Sequence, residues 1–133
     1  MIRATGLLLL CASATHANTY CADLTARTTT EIALPDGTPG TCSTSLDLSG
    51  AQAINCRWPF DYRADAATAA FTALLSATEQ CVNTDGVTDQ GVNHPDSYDL
   101  RIFQTEAAQI SVSIKDKGAL QQTYVFLRIA PKD

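Results

Sequence analysis

The side chains with the means to do chemistry are few, and His94 stands first among them. It lies in a polar stretch with Asp89, Asp96 and Asp99 close in sequence. An imidazole beside a carboxylate suits a general base, the carboxylate orienting the ring. A catalytic role therefore falls to His94 as base, with Asp96 or Asp99 orienting it. Asn93, His94, Pro95, Asp96 and Ser97 equally form an ordinary turn, Pro95 presetting one dihedral and Asp96 bonding nearby backbone. Asp85, Asp89, Asp96 and Asp99 also bring acidic oxygens together, but without the ligand spacing or closing acid of a calcium loop, so no metal is expected.

Nucleophiles are scarcer still. No serine sits in a G-x-S-x-G elbow, and the mature cysteines are all needed for disulfides, so hydrolysis by a Ser or Cys triad is not supported. No cofactor motif is visible. Arg57, Arg63 and Arg101 are candidates for an anion pocket, although Asp61, Asp65 and Asp99 lie close enough in sequence to neutralise them as partly exposed salt links. Tyr124 and Phe126 share one side of a strand. If a helix covers the Val125, Leu127 and Ile129 side, these two aromatics face outward as a binding surface, with Arg101 as a further contact.

These residues belong to a chain with the marks of an export precursor. Arg3, the run Leu7 to Leu10, and small residues through Ala17 follow the charge, apolar core and small-residue order of a secretory signal. The expected division is a signal peptide at 1–17 and a single mature domain at 18–133, periplasmic or secreted. The apolar run is too short to span a bilayer, which takes about 20 residues, and no membrane association is expected after cleavage. Without Arg3 there are 14 acidic residues against 8 basic ones, a net charge of −6. That field repels phosphate backbones, and no Lys/Arg cluster opposes it, so nucleic acid is not an expected partner.

Loss of the leader also removes Cys11, leaving Cys21, Cys42, Cys56 and Cys81, an even number that reads as two disulfides in an oxidising compartment. None of the spacings is C-x-x-C, which argues against a thioredoxin-like or zinc site.

The elements follow from periodicity. Residues 18–50 are rich in Thr, Ser, Gly and Pro, with turns at Pro35 to Gly37 and Pro39 to Gly40, a brief helix near Leu24 and a strand from Thr29 to Leu34. The core is expected in 51–133. There Ile54, Cys56, Trp58, Phe60 and Tyr62 alternate with polar residues as a half-buried strand, in which Pro59 implies an edge or a bulge. Asp65 caps a principal helix, Asp65 to Val82, with Ala67, Ala70, Phe71, Leu74, Leu75 and Thr78 on one face. Strands beginning at Tyr98, near Ile110 and near Leu120 complete a three-strand antiparallel meander, the last strand being central.

The fold class is thus α+β: a mainly antiparallel sheet of four to five strands packed on one helix. A strand of about 26 Å from Cys56 and a returning helix of about 24 Å would bring Cys81 beside Cys56. That predicts a Cys56–Cys81 bridge and leaves Cys21–Cys42. The functional expectation is a protein-interaction, accessory or inhibitor module whose partner is another protein. The alternative is a small extracytoplasmic acid/base enzyme using the loop around His94. The absence of a catalytic signature leans away from the enzyme.

Overall fold

The computed structural model describes residues 20–24, 31–88 and 98–132. The expected leader, His94 and Asp96 lie outside them. The fold is α+β, with one six-stranded antiparallel sheet, one principal helix and two disulfides. The strands are β1 (Thr41–Leu46), β2 (Gln52–Asp61), β3 (Val87–Thr88), β4 (Tyr98–Gln104), β5 (Ala108–Lys117) and β6 (Gln122–Pro131), and helix α1 (Asp65–Val82) follows β2. Their order across the sheet is β1-β2-β6-β5-β4-β3. Expected strands at 54–62, from 98, near 110 and near 120 all form. The two additions, β1 and β3, come from stretches whose sequence carries no periodic apolar signal.

Alternation of side chains places Cys56, Trp58, Val112, Val125, Leu127 and Ile129 in one buried layer. Helix α1 packs on β2, β4, β5 and β6 and presents Ala67, Phe71, Leu74 and Thr78 to the sheet. The core closes at the N-terminal side with a helical turn at 20–24, where Tyr20 and Leu24 are buried. Thr78 hydroxyl donates its one proton to the Leu74 carbonyl at 2.7 Å, so in the 2.7 Å contact between Tyr20 Oη and Thr78 Oγ1 the tyrosine is the donor. Burial pushes the Tyr20 phenol well above its ordinary pKa, which keeps that proton available to donate.

Trp58 is 1% exposed and donates its indole N–H to the Thr38 carbonyl at 3.0 Å. The 31–40 loop lies against the indole so closely that a Cβ on Gly40 would stand 2.7 Å from the ring carbons. Residues 31–34 do not form the strand expected there, whose first two residues fall outside the described ones. Instead Ala33 bridges Pro39, and Ile32 and Leu34 are buried by the turn. Pro59 lies past Arg57, the last β2 residue opposite β1, so there β2 has a strand neighbour only on the β6 side. Its missing amide is harmless at such an open edge. The helix starts differently from expectation: Ala64 takes the N-cap position without a side-chain hydrogen bond, and Asp65 sits in the first turn, where its charge complements the helix dipole. Asn83 ends the helix in the left-handed conformation, φ 54°.

The disulfide pairing also differs. Cys21 joins Cys81, and Cys42 joins Cys56. The Cys56–Cys81 expectation counted only a strand and a returning helix. It missed β1, which sets Cys42 directly opposite Cys56 in register. Cys81, near the helix C terminus, is then left to hold the 20–24 turn. Each bridge joins an element that has little core of its own to one that has much. Peptide mapping without reduction is expected to recover Cys21 linked to Cys81 and Cys42 linked to Cys56; recovery of Cys56 linked to Cys81 would contradict the register of β1.

Candidate interaction face

One helix covers one side of the sheet. On β6, Thr123, Val125, Leu127 and Ile129 point beneath it and are buried, while Gln122, Tyr124, Phe126 and Arg128 point to the other side and are half-buried. Pairing carries this division across the sheet. Arg57 stands opposite Phe126, Asn55 opposite Arg128, Ser113 opposite Phe126 and Lys115 opposite Tyr124. Tyr98, Leu100 and Ile102 of β4 join the same open face through Lys115, Ser113 and Ser111. Tyr124 and Phe126 therefore lie where the sequence placed them if the helix took the Val125 side. Their rings stack, 5.6 Å between centroids and 20° between planes.

The cations of this face contact rings and amides rather than carboxylates. The Arg57 guanidinium lies 5.9 Å from the Tyr124 ring centre, Lys117 6.0 Å from the same ring, and Lys115 5.6 Å from that of Tyr98. Arg128 donates to Asn55 Oδ1 at 2.8 Å. Among the described residues none of these four forms a salt bridge. A chain with a net charge of −5 thus concentrates Arg57, Lys115, Lys117 and Arg128 around stacked aromatics on one surface. A depression of about 320 Å3, bounded by Thr41, Ser43, Asn55, Cys56, Arg57 and Phe126, opens on the β1 side of it.

The helix side treats its cations the opposite way. A groove of about 580 Å3 runs between the first half of α1 and β4, β5 and β6, with Phe71 and Ile114 among its walls. In it Arg63 pairs with Asp116 at 2.9 Å, and Arg101 grips both carboxylate oxygens of Asp99 at 3.0 and 3.1 Å. The Asp99 hydrogen bonds, aided by the charges of Asp99 and Glu79, hold the Arg101 guanidinium above its ordinary pKa. Thr123 donates to Asp116 at 2.7 Å and accepts the Arg63 amide at 2.8 Å, which steadies Arg63 in its left-handed backbone, φ 55°. This groove therefore holds balanced ion pairs, the salt-link reading of Arg63 and Arg101.

Arg101 consequently parts company with Tyr124 and Phe126. It faces the helix side, because Phe103, two residues on, is the β4 side chain that enters the core opposite Ile110. Tyr98, Leu100 and Ile102, opposite Lys115, Ser113 and Ser111, take the other parity, away from the helix. Of the proposed catalytic set only Asp99 is described, and its carboxylate is committed to Arg101. Among the described residues no three His, Cys, Asp or Glu side chains gather as a metal site.

No protein-family model, curated protein or solved structure matches this chain. A hydrogen-bonded turn joins β1 to β2 at one end of this face. Asp47 Oδ1 accepts from the amides of Ser49 and Ala51, each at 2.9 Å, and from the Ser49 hydroxyl at 2.6 Å, while Gly50 supplies φ 84°. The Ser49 hydroxyl, then the two amides and the charge of Arg128, hold the Asp47 carboxyl below its usual pKa. A depressed folded-state pKa contributes stability above the unfolded value, about 4, and loses it as pH falls through the folded value. Asp47→Asn is expected to lower stability at neutral pH and to converge with wild type in strong acid, measured by denaturant unfolding across pH 2–7; a difference constant over that range would contradict the assignment.

Proposed function

We propose that this chain is a small exported binding module, of the accessory or inhibitor kind, that engages another protein through the sheet face opposite α1. The observation that carries this is the stacked Tyr124–Phe126 pair ringed by Arg57, Lys115, Lys117 and Arg128, none of which forms a salt bridge with a described residue. Rigid aromatics and arginine are the side chains that most often anchor protein interfaces, since they cover much area at small entropic cost. Stacking further limits what the rings lose on binding. Two disulfides suit an oxidising, extracytoplasmic compartment, and among the described residues no helix is long and apolar enough to cross a membrane. Secreted or periplasmic delivery, by cleavage of the 1–17 leader, is part of the proposal.

Neither aromatic belongs to the buried layer beneath α1, so a binding variant need not be a folding variant. The full chain, tagged at its C terminus and produced in an oxidising compartment, is to be compared with Tyr124→Ala/Phe126→Ala in pull-downs from envelope and culture fractions. A partner retained by wild type is expected to be recovered about tenfold less or worse by the variant, an anchor aromatic being worth about 2 kcal/mol or more. Both proteins should keep the two disulfides. An unchanged partner set with the double variant would overturn the assignment of this face.

A further inference from the structure

The two edges of the sheet are guarded very differently. β3 ends one side with two residues, too short to template another strand. β1 ends the other with six, Thr-Cys-Ser-Thr-Ser-Leu, and no described strand pairs with its outer side. It carries no lysine, no proline and no charge, the devices that usually deter a foreign strand. Five of its six residues are exposed, and Leu46 is 73% exposed. The Cys42–Cys56 bridge and the Asp47 turn pin β1 to β2 at both ends of its register, so the edge is presented as a fixed ladder rather than a fraying one.

A strand laid along that edge would send alternate side chains onto the open face. There β1 offers only Thr41, Ser43 and Ser45, the partners of Arg57, Asn55 and Ala53. These short side chains leave the way clear to Arg57, which stands about 9–10 Å, or two strand spacings, from the backbone of an added strand. A carboxylate side chain from one direction and the arginine from the other, once it swings from the Tyr124 ring, span that gap, over the depression walled by Thr41, Ser43 and Phe126. Arg128, which touches Ser45 Oγ at 3.4 Å, meets the strand near its other end.

We propose that the outer edge of β1 receives an extended segment of the protein partner as a seventh strand, and that this segment carries acidic side chains toward Arg57 and Arg128. The inference rests on the function proposed above and adds to it the mode of binding and the charge of the partner. A second copy of this chain is a poorer occupant. Its own β1 would bring only Thr and Ser hydroxyls to the open face, and Arg57 would remain without a carboxylate.

The test uses the full, oxidised, 15N-labelled chain and two soluble peptides, one alternating Thr with Glu and one alternating Thr with Lys. The acidic peptide is expected to slow amide hydrogen exchange within 41–46 and to bind at least about tenfold more tightly than the basic one, with the preference weakened by salt. Arg57→Glu, an exposed substitution that leaves both disulfides in place, is expected to erase or reverse that preference. Acidic-peptide shifts confined to Tyr124 and Phe126, with β1 exchange unchanged, would overturn the added strand while leaving the open face in use. Failure of the acidic peptide to bind, or slowed β1 exchange that grows with protein concentration in the absence of peptide, would each overturn the proposal. The first result would count against an acidic strand and the second for a second copy.

Discussion

A helix of 18 residues is about 27 Å long and about 10 Å across, whereas six strands spread over about 24 Å. One such helix buries one face of such a sheet and cannot reach the other. Everything distinctive here descends from that constraint. Val125, Leu127 and Ile129 form the layer that meets α1, and their sequence neighbours Tyr124, Phe126 and Arg128 are turned to the opposite side by the strand's own alternation. A small domain draws its stability from that apolar layer, and two cross-links tie in the short 20–24 turn and the exposed strand β1.

The division of charge follows the same geometry. On the helix side, where ionic groups sit half-covered at the groove margin, Arg63 and Arg101 have carboxylates within hydrogen-bond reach. Both are partly exposed pairs, formed because the fold sets Asp116 and Asp99 beside the two guanidinium groups. On the open side water solvates the cations, and ring faces and an amide suffice as neighbours. The acidic balance of the chain is therefore not spread evenly. It leaves one surface on which an acidic protein partner meets attraction rather than the repulsion that the net charge alone would suggest.

Elements with strong burial contrast were legible in the sequence. The helix bounds, Asp65–Val82, and the strands built on Trp58, Ile110 and Val125 announce themselves because each turns one face to the core. β1 was not legible: lying at the sheet edge with nearly every residue in water, Thr41–Leu46 has no periodic apolar signal to read. β3 is two residues long and has no period at all. Missing β1 had a second consequence, since the partner of Cys56 is on it, and the disulfide pairing was misassigned with it. The side of Arg101 was misread for a related reason. In a marginal strand Leu100 and Ile102 are only half-buried on the open face, and Phe103 alone decides which parity enters the core. The Tyr124–Phe126 face was legible only conditionally: Tyr124 to Leu127 is apolar on both sides, and the helix's cover of the Val125 side is what turns these two rings outward.

The account stands on the parity of β6, and a soluble paramagnetic chelate reads that parity directly by NMR. Ring protons of Tyr124 and Phe126 are predicted to broaden strongly as the chelate is added, while the methyls of Val125, Leu127 and Ile129 stay sharp. Equal broadening of the two sets, or sharp aromatic signals beside broadened methyls, would contradict a sheet covered by its helix on the Val125 side.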